Sequence, residues 1–195
     1  VLGPASGDQA CGEVGMGRML EAEQIAEAVT GFLAPKVLRG TRVLITAGPT
    51  FEAIDPVRGI TNQSSGKMGY ALAKAALRRG AEVTLVSGPT ALEPPSGARF
   101  IPVTTAAEMH DAVLKEFAAC TAVVMAAAVT DYRPVAAAGR KIKRGQGPIE
   151  LRLEPNPDIL KALGEHRDGK ILIGFAAETE DLAANAEKKL HAKNL

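Results

Sequence analysis

An α/β fold on a Rossmann-like, doubly wound and mostly parallel sheet is the class this sequence predicts, and three observations carry it. Short apolar segments rich in β-branched residues, RVLITA at 42–47 and TAVVMAA at 121–127 among them, suit strands covered on both faces. Between such segments lie stretches whose apolar residues recur at helical spacing, the pattern of parallel strands joined by crossover helices. The glycine-rich, polar and charged segments at 48–66, 88–97, 129–139 and 176–180 each follow a strand. Ligands of open parallel sheets sit outside the carboxyl ends of the strands, so function is expected along that edge.

Taken in order, residues 1–19 hold five glycines with neither helical nor strand period and read as a loop. An amphipathic helix is expected over 20–33, where Ile25, Val29 and Leu33 fall four apart, and 34–40 with Pro35 reads as a linker. Strand 42–47 leads into a long loop, 48–66, carrying Gly48, Pro49, Asp55, Arg58, Asn62, Ser64, Ser65 and Gly66, a set with no use in a hydrophobic core. Helix 67–79 follows, with Ser65 as its expected N-cap and Gly80 as its stop. Then come strand 82–87, a proline-rich turn, strand 99–103, and a helix over 105–119 with Met109, Val113 and Phe117 four apart. After strand 121–127, Asn156-Pro157-Asp158 opens a helix near 159–163, followed by strand 170–175 and a helix over 181–192. One segment breaks the alternation. RKIKRGQGPIELRLE at 140–154 shows period two on both sides of 144–147 and predicts an inserted β-hairpin.

At 195 residues there is room for one sizeable domain, or one domain and a fragment of another. With 23 Lys and Arg against 22 Asp and Glu, the net charge of +1 gives no general attraction to nucleic acid or anionic membrane. No apolar run is long enough to span a bilayer and no signal peptide is visible, so cytoplasmic residence is expected. Cys11 and Cys120 make no disulfide framework, and three His without CxxC or HExxH argue against a protein-built zinc site.

Several residues admit two readings each. A strand feeding a helix through a Gly/Ser/Asn loop presents free N–H groups and the positive end of a helix dipole, which makes a phosphate site or an ordinary cap. Asp55 and Arg58, three apart, make a local ion pair or part of a site. Arg140, Lys141, Lys143 and Arg144 put four cations in five residues, either a solvated hairpin tip or, with Lys141 and Lys143 on one face, a joint contact to polyphosphate. Asp131 at the sheet edge suits a cap, a Mg²⁺ ligand or a ribose hydroxyl partner. Phe175 and Glu178 are similarly placed after the last strand, the aromatic Phe175 as core or as base platform; Cys11 is structural or a reactive thiol, and Cys120 reads as core.

Together, ITAGPTFEAIDPVRGITNQSSGKMG, AAAVTDYRP, KIKR, LEPNPDIL and GFAAETEDLAANAEKKLHAKN resemble phosphopantothenoylcysteine synthetase. This coenzyme A pathway enzyme (phosphopantothenate–cysteine ligase) is fused in bacteria behind phosphopantothenoylcysteine decarboxylase. The motifs cover nearly all of 41–195 in family order, and GPASGDQACGEVGMGRM resembles the end of the decarboxylase half. The resemblance implies residues 1–39 as decarboxylase tail plus linker and 40–195 as the synthetase domain, continued beyond Leu195 in the family. It implies a reaction in which 4′-phosphopantothenate and CTP give an acyl-cytidylate and pyrophosphate, and cysteine then displaces CMP. It implies Asn62 at the acyl-phosphate, Gly48, Ser64, Ser65, Gly66 and Lys67 at the phosphates, and Ala127 with Phe175 at the cytosine. Asp131 would serve the nucleotide and Mg²⁺, and Asn156 and Asp158 the nucleotide side. Lys141 and Lys143 would belong to a mobile flap for the amide-forming step. Cys11 would be the decarboxylase acid, working with FMN in the part of the family protein that precedes it. Dimerisation through the synthetase domain is implied as well. One departure is KIKR, where the family has a lysine at the last position: Arg144 keeps the charge with a different geometry.

An NAD(P)-dependent dehydrogenase on the same sheet predicts GxGxxG after the first strand and an acidic residue ending the second. The sequence has GPTFEAID and VSG there instead. A nucleotide-binding module without catalysis is the third reading, and the Asn62 and Lys141 pairing exceeds what binding alone requires.

Overall fold

In the computed structural model, which describes residues 1–145, 147–175 and 181–194, the predicted alternation resolves into sixteen elements. A two-stranded antiparallel ribbon, β1 (Ala5–Asp8) and β2 (Val14–Arg18), precedes helix α1 (Ala22–Leu33). Then follow β3 (Arg42–Ala47), β4 (Phe51–Ala53), β5 (Gly59–Thr61), α2 (Lys67–Arg78), β6 (Glu82–Ser87) and β7 (Arg99–Pro102). The rest is α3 (Ala106–Phe117), β8 (Ala122–Met125), β9 (Tyr132–Pro134), β10 (Leu153–Pro155), α4 (Ile159–Glu165), β11 (Ile171–Gly174) and α5 (Leu182–Ala192).

Five strands form one parallel sheet in the order β11-β8-β3-β6-β7. From β3 the chain runs outward through β6 to β7, then crosses back to lay β8 and β11 on the other side. The strand order therefore reverses between β3 and β8, the switch point at which such sheets leave a crevice for a ligand.

Strand alternation sorts the core into two layers. Val43, Ile45 and Ala47 of β3 and Val83 and Leu85 of β6 face α2, where Tyr70, Ala73 and Ala76 meet them. Leu44, Val86, Val123 and Leu172 face the opposite side, against Met109, Val113 and Phe117 of α3 and Ile159 and Leu163 of α4. The approach of α2 is close: a Cβ on Gly69 would stand 2.5 Å from the Ala47 Cβ.

Four local expectations are corrected. The 1–19 segment is a ribbon, not a loop; glycines at 7, 15 and 17 remove the side chains that would have shown its period. The 48–66 segment holds the β4–β5 hairpin, whose three-residue strands are too short to display alternation. Gly66, in the left-handed region at φ 74, is the N-cap of α2 in place of Ser65, and a Cβ there would meet the Thr90 methyl at 2.7 Å. The inserted ribbon does exist, but its strands are β9 and β10, with Arg133 paired to Glu154; no strand forms among the described residues of 135–152. The physical reason lies at Ile142, whose backbone N–H and C=O are taken by Asp55 and Arg58 instead of a ladder partner. Gly80 at φ 90 ends α2 as expected.

Candidate functional site

The loops after β3 and β8 are stitched together at the switch point. Ala128 donates its N–H to the Gly48 carbonyl at 2.9 Å, and its own carbonyl accepts from the Thr50 N–H at 3.2 Å. That carbonyl also accepts from Asn62 Nδ2 at 3.0 Å, which fixes the exposed Asn62 side chain against the loop of the opposite strand. Gly48 and Gly66 pack backbone to backbone: a Cβ on Gly66 would lie 3.3 Å from the Gly48 Cα and N. Ser64 Oγ accepts from the Gly66 N–H at 3.3 Å, while Ser65 and Lys67 stand exposed at the mouth of α2.

Beneath this seam runs a buried polar network. Glu52 Oε1 accepts from the Ala106 N–H at 2.8 Å and from the Thr130 hydroxyl at 3.1 Å. The Thr130 and Thr50 hydroxyls lie 3.0 Å apart, and Thr50 Oγ1 accepts from the Thr130 N–H at 2.9 Å. With Thr130 donating to Glu52, the remaining hydroxyl proton belongs to Thr50 and points at Thr130. Asn156 Nδ2 closes the network, donating to the Thr130 carbonyl at 2.9 Å and to its hydroxyl oxygen at 3.2 Å. Asn156 Oδ1 is buried with no hydrogen-bond partner among the described residues, an acceptor left open in the cluster.

Asn156 borders a cavity of about 490 Å³ at the carboxyl ends of β8 and β11. Met125, Ala127, Val129 and Phe175 supply its apolar walls, with Asp131, Asp158, Lys189 and Lys193 around them. Asp131 is exposed, and its carboxylate makes no hydrogen bond or ion pair among the described residues. Asp158 is committed. It caps α4 through the Lys161 N–H at 3.0 Å and holds Lys193 Nζ at 3.0 and 2.9 Å from its two oxygens. Partial burial alone would raise the Asp158 pKa, but the Lys193 bond, the Lys161 amide and the charges of Lys193 and Lys189 together bring it down. Among the described residues no group of three His, Cys, Asp or Glu is disposed to hold a metal.

A second cavity, about 810 Å³, is bordered by Arg58, Lys141, Ile142, Lys143, Arg144 and Ile149. Lys141 and Lys143 are exposed, without an ion pair among the described residues. Asp55 and Arg58 do form the local ion pair, and the Asp55 side chain is fully buried while that of Arg58 is 45% exposed. Cys11 is exposed in the β1–β2 turn, its Sγ 3.7 Å from Gln9 Oε1. Cys120 is in the core as expected, and burial pushes its thiol pKa up.

The structure thus gathers Ala127, Asp131, Asn156, Asp158 and Phe175 at one cavity, Gly48, Asn62, Ser64, Ser65, Gly66 and Lys67 at the switch-point seam, and Lys141 with Lys143 at the second cavity. Glu178 lies outside the described residues.

Residues 38–195 match the DNA/pantothenate metabolism flavoprotein C-terminal domain. The chain belongs to that family. A Vibrio cholerae relative, Coenzyme A biosynthesis bifunctional protein CoaBC, is 54% identical over 198 residues, which are 99% of this chain and 49% of that protein. The Bacillus subtilis protein of the same name is 50% identical over 196 residues, covering 98% and 48%. The chain spans about half the length of the curated relatives it matches. Among solved structures, the C-terminal domain of Coenzyme A biosynthesis bifunctional protein CoaBC superposes with a TM-score of 0.72 at 50% identity, over 80% of this chain and 74% of that one. The DNA/pantothenate metabolism flavoprotein from Streptococcus pneumoniae gives a TM-score of 0.70 at 26% identity, over 79% of each. For this flavoprotein C-terminal domain family the Rossmann-like sheet is therefore the shared frame.

Sequence reasoning missed the Thr50–Glu52–Thr130 network, Lys189 and Lys193 at the cavity, and the reach of Asp55 to Ile142. Glu52 carried a weak signal, as a carboxylate between apolar residues close after a buried strand. Lys193 carried none, because its partner Asp158 lies 35 residues away.

Proposed function

We propose that this chain carries the ligase that joins 4′-phosphopantothenate to L-cysteine through an acyl-cytidylate, within a bifunctional coenzyme A biosynthesis protein. The observation that supports it most is the cavity at β8 and β11, where five of the expected nucleotide-side residues meet in a chain 54% identical to a bifunctional coenzyme A biosynthesis protein. In this reading a carboxylate oxygen of phosphopantothenate attacks the α-phosphorus of CTP, the bond to the bridging oxygen breaks, and pyrophosphate leaves with the electron pair. The cysteine amine then attacks the acyl carbon, the bond to CMP breaks, and the amine gives up a proton.

Such a reaction needs positioning and donors rather than a covalent nucleophile. The N–H groups and dipole at the start of α2, with Ser64, Ser65, Gly66 and Lys67 and close packing at Gly48, suit the phosphates. Asn62 directs its amide at the acyl group, and the Ala127 and Phe175 walls receive the cytosine. Asn156 offers its open Oδ1 to the nucleotide side, and Asp158 acts there through Lys193. Lys141 and Lys143 meet charge released in the second step. Asp131 fits a Mg²⁺ carried by the triphosphate, since that ion is commonly held by one or two carboxylates plus phosphate oxygens. Bound there, Mg²⁺ would neutralise charge on the leaving pyrophosphate.

We further propose that 1–39 is the tail of a decarboxylase half plus linker and 40–195 the synthetase domain, in a cytoplasmic protein that dimerises through that domain. The decarboxylase would use FMN with Cys11 as its acid. A two-stranded ribbon does not hold a flavin by itself, so this chain's residues carry no FMN step on their own.

The test is pyrophosphate release from CTP by the purified protein. Release is expected only when phosphopantothenate and Mg²⁺ are both present, with ATP a poorer substrate on titration. NADH oxidation without nucleotide turnover would overturn the reading.

A further inference from the structure

Asp55 has more bonds than its own turn requires. Its Oδ1 accepts from the N–H groups of Val57 and Arg58, both at 2.9 Å, which completes the turn between β4 and β5. Its Oδ2 is spent elsewhere: it accepts from Arg58 Nε at 3.1 Å, from Arg58 Nη2, and from the Ile142 N–H at 3.0 Å. Arg58 Nη2 also donates to the Ile142 carbonyl at 2.8 Å. One ion pair thereby satisfies both backbone groups of a residue 87 positions along the chain from Asp55. A neighbouring strand would do the same, and among the described residues none is paired with Ile142.

Ile142 lies between Lys141 and Lys143, half-buried where they are exposed. The same turn grips the insertion at a second point, because the Ala138 N–H donates to the Ile54 carbonyl at 2.8 Å. The other end of the hairpin is tied to the switch point, where Thr61 Oγ1 donates to the Thr50 carbonyl at 2.8 Å and Asn62 holds Ala128. The β4–β5 hairpin therefore carries Asn62 at one end and the two lysines, through Ile142, at the other.

We propose that Asp55, with Arg58, is a positioning residue that sets where Lys141 and Lys143 stand relative to Asn62. The proposal rests on the ligase reading for what that placement accomplishes: the lysines are held in place for the amide-forming step. The latch itself is a property of the chain that can be measured without turnover.

Asp55→Asn separates latch from turn. Asparagine keeps an oxygen for the Val57 and Arg58 amides, but its NH₂ would face the Ile142 N–H and the guanidinium, all donors. Arg58→Met removes the bond to the Ile142 carbonyl from an exposed side chain, and it decides the matter if Asp55→Asn fails to fold. Trypsin digestion of the native protein is expected to cut after Lys141, Lys143 or Arg144 about tenfold faster in either variant, through local opening of that segment. The core variant Val113→Ala, matched for melting temperature, should leave those sites unchanged. In turnover, the amide-forming rate should fall about tenfold while the KM for CTP moves less than about twofold, since the nucleotide cavity lies elsewhere. Unchanged cleavage at 141–144 would overturn the latch. Accelerated cleavage without a selective loss of the amide-forming rate would reduce Asp55 to a stability residue. A protein with normal latch behaviour and no CTP turnover would sink the ligase reading and leave the latch standing.

Discussion

The β4–β5 hairpin and the 135–152 insertion both leave the carboxyl edge of the sheet, and they are held in opposite ways. The hairpin is fastened from within. Thr50, Glu52 and Thr61 lie in or beside it, and each has a partner in a neighbouring loop, in the helix α3 N-terminus or in the hairpin itself. The insertion is fastened from without: the bonds recorded at its Ala138 and Ile142 both go to the hairpin turn. One region is thus pre-organised, which in the ligase reading suits groups that must stand at a fixed distance from the reacting phosphorus. The other keeps its cations exposed on a segment held at Ala138 and Ile142, which in the ligase reading suits groups needed at one stage of a two-stage reaction.

The contrast breaks most plainly at the two ends of the hairpin. Asn62→Ala removes an amide held against Ala128 and, in the ligase reading, a donor aimed at the acyl-phosphate; loss of such a donor costs about 10²- to 10³-fold in rate. Quenched-flow measurement should place that loss in cytidylate formation. Lys141→Ala should instead slow amide formation by about tenfold or more and leave cytidylate formation nearly intact. Equal loss of both steps in Lys141→Ala would erase the functional half of the comparison.

A smaller effect sharpens the structural half. Thr130→Val keeps shape but strips the hydroxyl that donates to Glu52 and accepts from Thr50 and Asn156. Leaving a buried carboxylate and a buried hydroxyl short of partners costs about 1–3 kcal/mol, to be read by urea unfolding. Lys143→Ala in the insertion should stay within about 0.5 kcal/mol of the parent. If the two variants cost the same, the hairpin is not the more tightly built region.

The same contrast governs what could be read in advance. The sheet strands are legible because β3, β6 and β8 are covered on both faces, so they read as short segments dominated by apolar and β-branched residues. Asp131 and Phe175 are legible at the sheet edge because they follow strands whose carboxyl ends point one way, whereas Ala127 and Asn156 enter only through the family resemblance, Asn156 standing after β10 of the antiparallel ribbon. The hairpin is not, since three-residue strands show at most one alternation. KIKR is misread as part of a strand pair because period two fits any extended segment, and only the bonds of Asp55 and Arg58 to Ile142 show that an ion pair stands in for the neighbouring strand.

Acid titration gives the smallest effect, and it tests the buried end of that ion pair. The Arg58 guanidinium holds the Asp55 carboxyl well below the usual carboxylate range; burial works against this, and the amides of Ile142, Val57 and Arg58 assist it. A carboxyl depressed on folding contributes stability that is full above its unfolded pKa, near 4, and fades as pH falls from there toward the folded value. The parent should therefore be more stable than Asp55→Asn at neutral pH, with the gap narrowing as pH drops from about 5 to about 2. Glu27 and Asp158 are also depressed, by Arg78 with Lys74 and by Lys193 with the Lys161 amide, and their acid losses are common to both proteins. The narrowing of the gap thus isolates Asp55. If it stays constant across that range, the Asp55 carboxylate gains nothing from its donors, and the insertion is held by shape alone.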